Sequence, residues 1–118
     1  MKAIFIDAAN RSVREVELPN PKEVGYSAYN REIYKLLGEG TERMELAVRL
    51  PNNDVIFVDE EGIFNPKSGG FSFNGSHTFM GNGIVCGGTN EGASASVKAI
   101  IEDIRAKIRF AIMVPRDI

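Results

Sequence analysis

The chain has 118 residues, 43% of them apolar and 25% charged, with a net charge of −2 and a pI of about 5.4. That is the size and balance of one ordinary globular domain, and the absence of a basic excess excludes the composition of a binder of nucleic-acid polymers. A small anionic ligand needs only a few well-placed cations and stays open.

Lys2 to Asp7 (KAIFID) is a short apolar run rich in β-formers. Asp7 to Arg11 reads as a turn, and Ser12 to Leu18 as a second strand with Val16 and Leu18 on one face, so the chain predicts an opening β-hairpin. Pro19-Asn20-Pro21 breaks it, because proline lacks the amide hydrogen that a ladder needs. Tyr26 to Leu37 places Tyr26, Tyr29, Ile33 and Leu37 on one helical stripe, with Gly38 as a C-terminal cap. The tyrosines read as core packing of that helix on a sheet.

Glu42 to Leu50 alternates, with Met44, Leu46 and Val48 on one side. Pro51 to Asp54 is turn chemistry, and Val55 to Val58 is apolar on both faces, as in a central strand. These two segments predict an antiparallel hairpin. Asp59-Glu60-Glu61-Gly62 ends it; the run lacks the spaced oxygen ligands and distal Glu of a calcium loop, so it reads as a solvated strand end and no metal is expected.

Ile63 to Ser68 reads as a loop, Phe71-Ser72-Phe73 as a strand with both rings on one face, Gly83 to Cys86 as a buried strand, and Gly87 to Gly92 as loop. Ala93 to Ala99 suits an edge strand or the start of a helix. Ile100 to Ile108 carries Ile101, Ile104 and Ile108 at helical spacing, with acids early and bases late, as the helix dipole prefers. Arg109 to Val114 extends as a strand or packs, and Pro115 to Ile118 is a polar tail. The expectation is one α+β domain over residues 1–118, an antiparallel β-sheet core with one or two packed helices. There is no internal repeat or linker.

The stretch from Gly69 to Gly92 holds eight of the twelve glycines, the only histidine, His77, and the only cysteine, Cys86. Glycine lets backbone approach a ligand closely. A single cysteine makes no internal disulfide and fits a reducing compartment. With no signal-like or membrane-length apolar run, the expected location is the cytoplasm.

No phosphate-loop motif occurs, and the Gly81-Asn82-Gly83 start of a dinucleotide fingerprint has Cys86 where the third glycine belongs. Cys86 lies in an apolar run and reads as an inert core thiol. His77 is open to acting as a base, a stacking ring or a hydrogen-bonding group, and one His with one Cys makes no zinc site. Without a triad, metal cluster or cofactor motif, the expectation is a binding protein that uses no cofactor, and not an enzyme.

Arg105 and Arg109 are four apart and share a face if the helix continues. Two guanidinium forks suit phosphate oxygens; the alternative is a solvated face beside Glu102 and Lys98. Phe79 lies among polar and glycine residues and is placed to stack on a base. Asn90 suits a base or ribose edge, or a simple Asx turn.

Five stretches carry a resemblance: the opening MKAIFID, the run from Arg49 to Gly62, Gly81-Asn-Gly-Ile-Val-Cys-Gly87, Asn90-Glu-Gly92, and Ile101 to Phe110. Together they resemble a small phage-encoded domain family of mostly unassigned function. Within it the chain is similar to the first Thoeris anti-defence protein family. That resemblance implies a phage sponge acting in the cytoplasm of an infected bacterium. It would sequester cyclic ADP-ribose isomers, and in some members cyclic oligonucleotides, without cleaving them. It also implies dimers or higher oligomers with shared pockets. The ligand contacts it implies fall on Phe79, Asn90, Arg105 and Arg109, with Arg49 as a further match. The glycine-rich loop aligns only with a small gap, so Phe73 or His77 can take the ring's place. Two other functions stay open: a module that binds a host protein, and a small phosphodiesterase-like hydrolase using His77.

Overall fold

The computed structural model describes residues 1–61, 69–90 and 94–112. The expected loop at Ile63 to Ser68, the Glu91–Gly92 end of the glycine-rich stretch and the tail from Pro115 lie outside them. The order is β1 (Lys2–Asp7), β2 (Ser12–Glu17), α1 (Pro21–Val24), α2 (Tyr26–Leu37), β3 (Met44–Arg49), β4 (Val55–Asp59), β5 (Gly69–Phe73), β6 (Phe79–Met80), β7 (Gly83–Gly88), β8 (Ser94–Ala95), α3 (Ile101–Lys107) and β9 (Ile108–Ile112). This is an α+β fold with two antiparallel sheets. The larger has the order β2-β1-β7-β4-β3, with β8 also on β7, and the smaller has the order β6-β5-β9.

The apolar run of β7 is central because both its faces are covered. Ile84 and Cys86 pack with Ala3 and Val55 against Tyr29, Ile33 and Leu37 of α2. Val85 packs on the other face with Ile4, Ile6 and Ile56 against Phe71, Phe73 and Phe79 of the smaller sheet and Ile104 of α3. The layers are therefore α2, the large sheet, and the small sheet with α3. Burying one such side chain stabilises by about 2 kcal/mol. Gly83 permits the contact between sheets: a Cβ there would lie 2.5 Å from Cζ of Phe71.

The opening hairpin, the Tyr26–Leu37 helix and the β3–β4 hairpin form as expected. Four details differ. Tyr26 is 50% exposed and outside the core stripe. The hairpin stops before Pro19 as expected, but Asn20 and Pro21 then start the short helix α1, which was not; the Asn20 side chain accepts from Lys22 N at 2.9 Å and proline takes the first helical position. Ala47 is the extra residue of a bulge, so Leu46 pairs with Phe57 and Val48 with Ile56, on opposite faces. Gly87 and Gly88 belong to β7, not to a loop.

Two buried carboxylates brace the frame. Asp59, expected in solvent, is 5% exposed; it accepts from the Thr41 hydroxyl at 3.2 Å and Glu61 N at 2.9 Å, while Glu60 and Glu61 are exposed. Asp54 is fully buried and accepts from Lys98 N at 3.0 Å, Ala99 N at 2.8 Å and Asn52 Nδ2 at 3.0 Å. It fastens the β3–β4 turn to the segment entering α3. Asn82 makes a third tie: its Oδ1 accepts from Ala8 N at 2.9 Å and its Nδ2 donates to Leu36 O at 3.1 Å. The turn between β1 and β2 is thereby bound to the end of α2. Among the described residues no helix is long and apolar enough to cross a membrane.

Candidate functional site

Ile104 is buried in the core, which turns its neighbour Arg105 outward along the edge of β2. The guanidinium donates to the Val13 carbonyl through Nε at 3.2 Å and Nη2 at 2.8 Å. That carbonyl belongs to the outermost strand of the large sheet. Nη1 and the second hydrogen of Nη2 stay available to a ligand.

Around Arg105 lies a cleft of about 270 Å³, lined by Arg11, Ser12, Val13, Arg105, Ile108 and Phe110. Each part arrives there for a local reason. Arg11 sits in the β1–β2 turn with a left-handed φ of 51°. Ser12 begins β2. The strand alternation of β9 sends Ile108 and Phe110 to one side. The cleft thus combines two guanidinium groups, a hydroxyl and a half-buried ring. Among the described residues, none of its lining side chains is a carboxylate, imidazole or thiol.

Arg109 is not part of this cleft. The helix ends at Lys107 because Ile108 is already extended, with φ −90° and ψ 134°. Arg109 is a strand residue opposite Ser72, so its side chain alternates away from Ile108 and Phe110. The expected pair on one helical face does not form; Arg105 is partnered by Arg11 instead.

Phe79, expected as an accessible stacking ring, is 6% exposed and packs on Phe71 at 5.5 Å between centroids. Phe73 is equally buried at 7%. His77 is the accessible ring of the three, edge-on to Phe79 at 4.5 Å. It shares a cleft of about 320 Å³ with Glu45, Asp59 and Glu60. Asn90 lies elsewhere, its Oδ1 accepting from Asn53 Nδ2 at 2.8 Å. Arg49 lines a further cleft, of about 400 Å³. The structure therefore brings His77 and Phe79 together, and within one chain these clefts keep Arg105 and Arg49 apart from them. Within one chain Phe79 is buried and Arg109 lies on a strand, so Phe79, Asn90, Arg105 and Arg109 do not line one cleft there.

Cys86 is 1% exposed on the α2 side, and burial pushes its thiol up to about 11. Burial likewise raises the neighbouring Tyr29 hydroxyl, which has no well-formed hydrogen bond among the described residues. A thiol so enclosed is no nucleophile for an outside substrate. It also faces the layer opposite to the one His77 touches. No group of three or more His, Cys, Asp or Glu among the described residues is arranged to hold a metal.

Arg11, Ser12 and Phe110 were not singled out in the sequence. Their signal is topological: a hairpin turn meets the helix–strand junction only once α3 docks on β2. Comparison with protein-family models, with curated proteins and with solved structures gives no match for this chain.

Proposed function

We propose that the protein captures a small phosphorylated ligand, of the cyclic ADP-ribose or cyclic oligonucleotide class, and holds it without cleaving it. The observation that carries this reading is the Arg11–Arg105 cleft, which among the described residues offers cations, a hydroxyl and a ring but no carboxylate, imidazole or thiol to activate that hydroxyl. Guanidinium forks match phosphate oxygens, and the face of Phe110 suits a nucleobase, a contact worth about 1–3 kcal/mol. The resemblance in sequence supplies the ligand class and the setting, a phage anti-defence sponge in the bacterial cytoplasm. At about 270 Å³ the cleft covers only part of such a ligand. A second copy of the chain would close over the rest, as burial in an oligomer requires.

The test has two readouts. The chain is mixed with a cyclic ADP-ribose isomer and its melting followed, since a ligand that binds the folded state raises Tm as its concentration exceeds Kd. The mixture is then denatured and the ligand recovered. A raised Tm that Arg11→Ala and Arg105→Ala each abolish, with the ligand recovered intact, supports capture. No shift rejects it.

A second reading, hydrolysis, is favoured by one observation: His77 opens on a cleft that also holds Glu45 and Glu60. A chemically altered ligand, with the alteration lost in His77→Ala, selects this reading.

A further inference from the structure

The cleft holding Arg49 is one half of a longer groove. A neighbouring cleft of about 390 Å³ shares Leu50, Pro51 and Lys107 with it, so the two run together across the β3–β4 turn. The cations follow its length: Arg49 lines the first half, Lys107 both halves, and Lys98 the second. Among the described lining residues Asp103 is the one carboxylate, which leaves them net positive in a chain whose total is −2.

The spacing decides what kind of anion fits. A compact phosphate wants its donors converging on one point, whereas these three are strung out. The floor decides further. Among the described residues it is mainly aliphatic, and its single ring, Phe73, is covered by Lys107, whose Nζ lies 6.0 Å from the ring centroid. Nucleic-acid single strands are held by open aromatic faces; this floor instead suits leucine-like side chains. One wall is the end of β3, which pairs only with β4 among the described residues. Its outer side offers backbone groups to an incoming strand.

We infer that this groove docks an extended acidic peptide segment of a partner protein, its carboxylates on Arg49, Lys107 and Lys98 and its alternate apolar residues on the floor. This surface is separate from the Arg11–Arg105 cleft, so either site stands or falls without the other.

The test uses fluorescence anisotropy of a short labelled peptide alternating Glu and Leu, with the full chain as titrant. Saturable binding that weakens with salt, and falls at least about tenfold in Lys107→Glu and in Arg49→Glu, is the expected result. Arg31→Glu, on the exposed side of α2, is expected to leave it unchanged. All three substituted residues are solvent-exposed, and circular dichroism confirms that the variants fold. The inference is overturned by any of three outcomes: a Gln-for-Glu peptide binding equally well, oligothymidylate competing more tightly than the peptide does, or both groove variants binding like the parent.

Discussion

Arg105 grips the Val13 carbonyl with two guanidinium nitrogens, at 3.2 and 2.8 Å. The bond closes a carbonyl on the outer edge of the large sheet and aims the rest of the guanidinium at the cleft it shares with Arg11. Lysine carries the charge but lacks the fork. Arg105→Lys is expected to cost about 1 kcal/mol in urea unfolding, a typical net value for such bonds. Arg109→Ala, on an exposed strand position, is expected to stay within about 0.5 kcal/mol of the parent. Equal costs at the two positions would remove the distinction drawn between them.

Asp54 answers donors that are far away in the chain. Asp54→Ala leaves the partly buried amides of Lys98 and Ala99 without their acceptors. At about 1–3 kcal/mol for each orphaned donor, the loss is expected to exceed 2 kcal/mol. Asp54→Asn keeps one acceptor oxygen and is expected to fall between alanine and the parent. Chemical denaturation measures both, and an alanine variant as stable as the parent refutes the assignment.

Gly83 and Phe71 form a steric pair. Gly83→Ala puts a methyl into the Phe71 ring, which is fully buried and cannot swing away freely. Overpacking of this kind costs about 1–3 kcal/mol. In the background of Phe71→Leu, which removes the ring edge, the same alanine is expected to be nearly free of cost. A double-mutant cycle with no coupling between the two would show the ring is not what glycine accommodates.

The buried thiol sets an alkaline limit. Burial raises Cys86 from 9.0 to about 11, so the folded chain keeps a proton that the unfolded chain has released. Stability from this group is therefore complete below pH 9 and is lost as pH rises toward 11, a fall on the order of 2 kcal/mol. Tyr29, raised in the same direction by burial, adds to the loss at the upper end of that range. Cys86→Ala is expected to flatten the decline between pH 9 and 10. The check is a series of denaturant titrations across pH. A decline unchanged in the variant assigns the effect elsewhere.

Much of the frame was legible because its signals are local. Tyr29, Ile33 and Leu37 repeat at helical spacing and are all buried on one side of α2. The Val55–Val58 and Gly83–Cys86 runs are apolar throughout and became inner strands. The site was less legible because its parts depend on partners distant in sequence. Arg105 and Arg109 have helical spacing, yet Ile108–Ile112 pairs with β5 and the strand wins over the local pattern. Phe79 has polar and glycine neighbours, but a two-residue strand against Phe71 suffices to bury it. Asp54 looked like one residue of a surface turn, and nothing nearby announces Lys98 and Ala99 as its donors.

Asn82 reaches from the glycine-rich segment to Ala8 and Leu36, while Asp7 accepts from Asn10 through both backbone and side-chain nitrogens at 3.2 and 2.9 Å. The hairpin tip carrying Arg11 is thus held from two directions before anything arrives. Much of the entropy that a floppy tip would surrender on association is already spent during folding. Loosening the tip through Asn82→Ala, with every cleft residue intact, should therefore shorten the residence time of a bound anion.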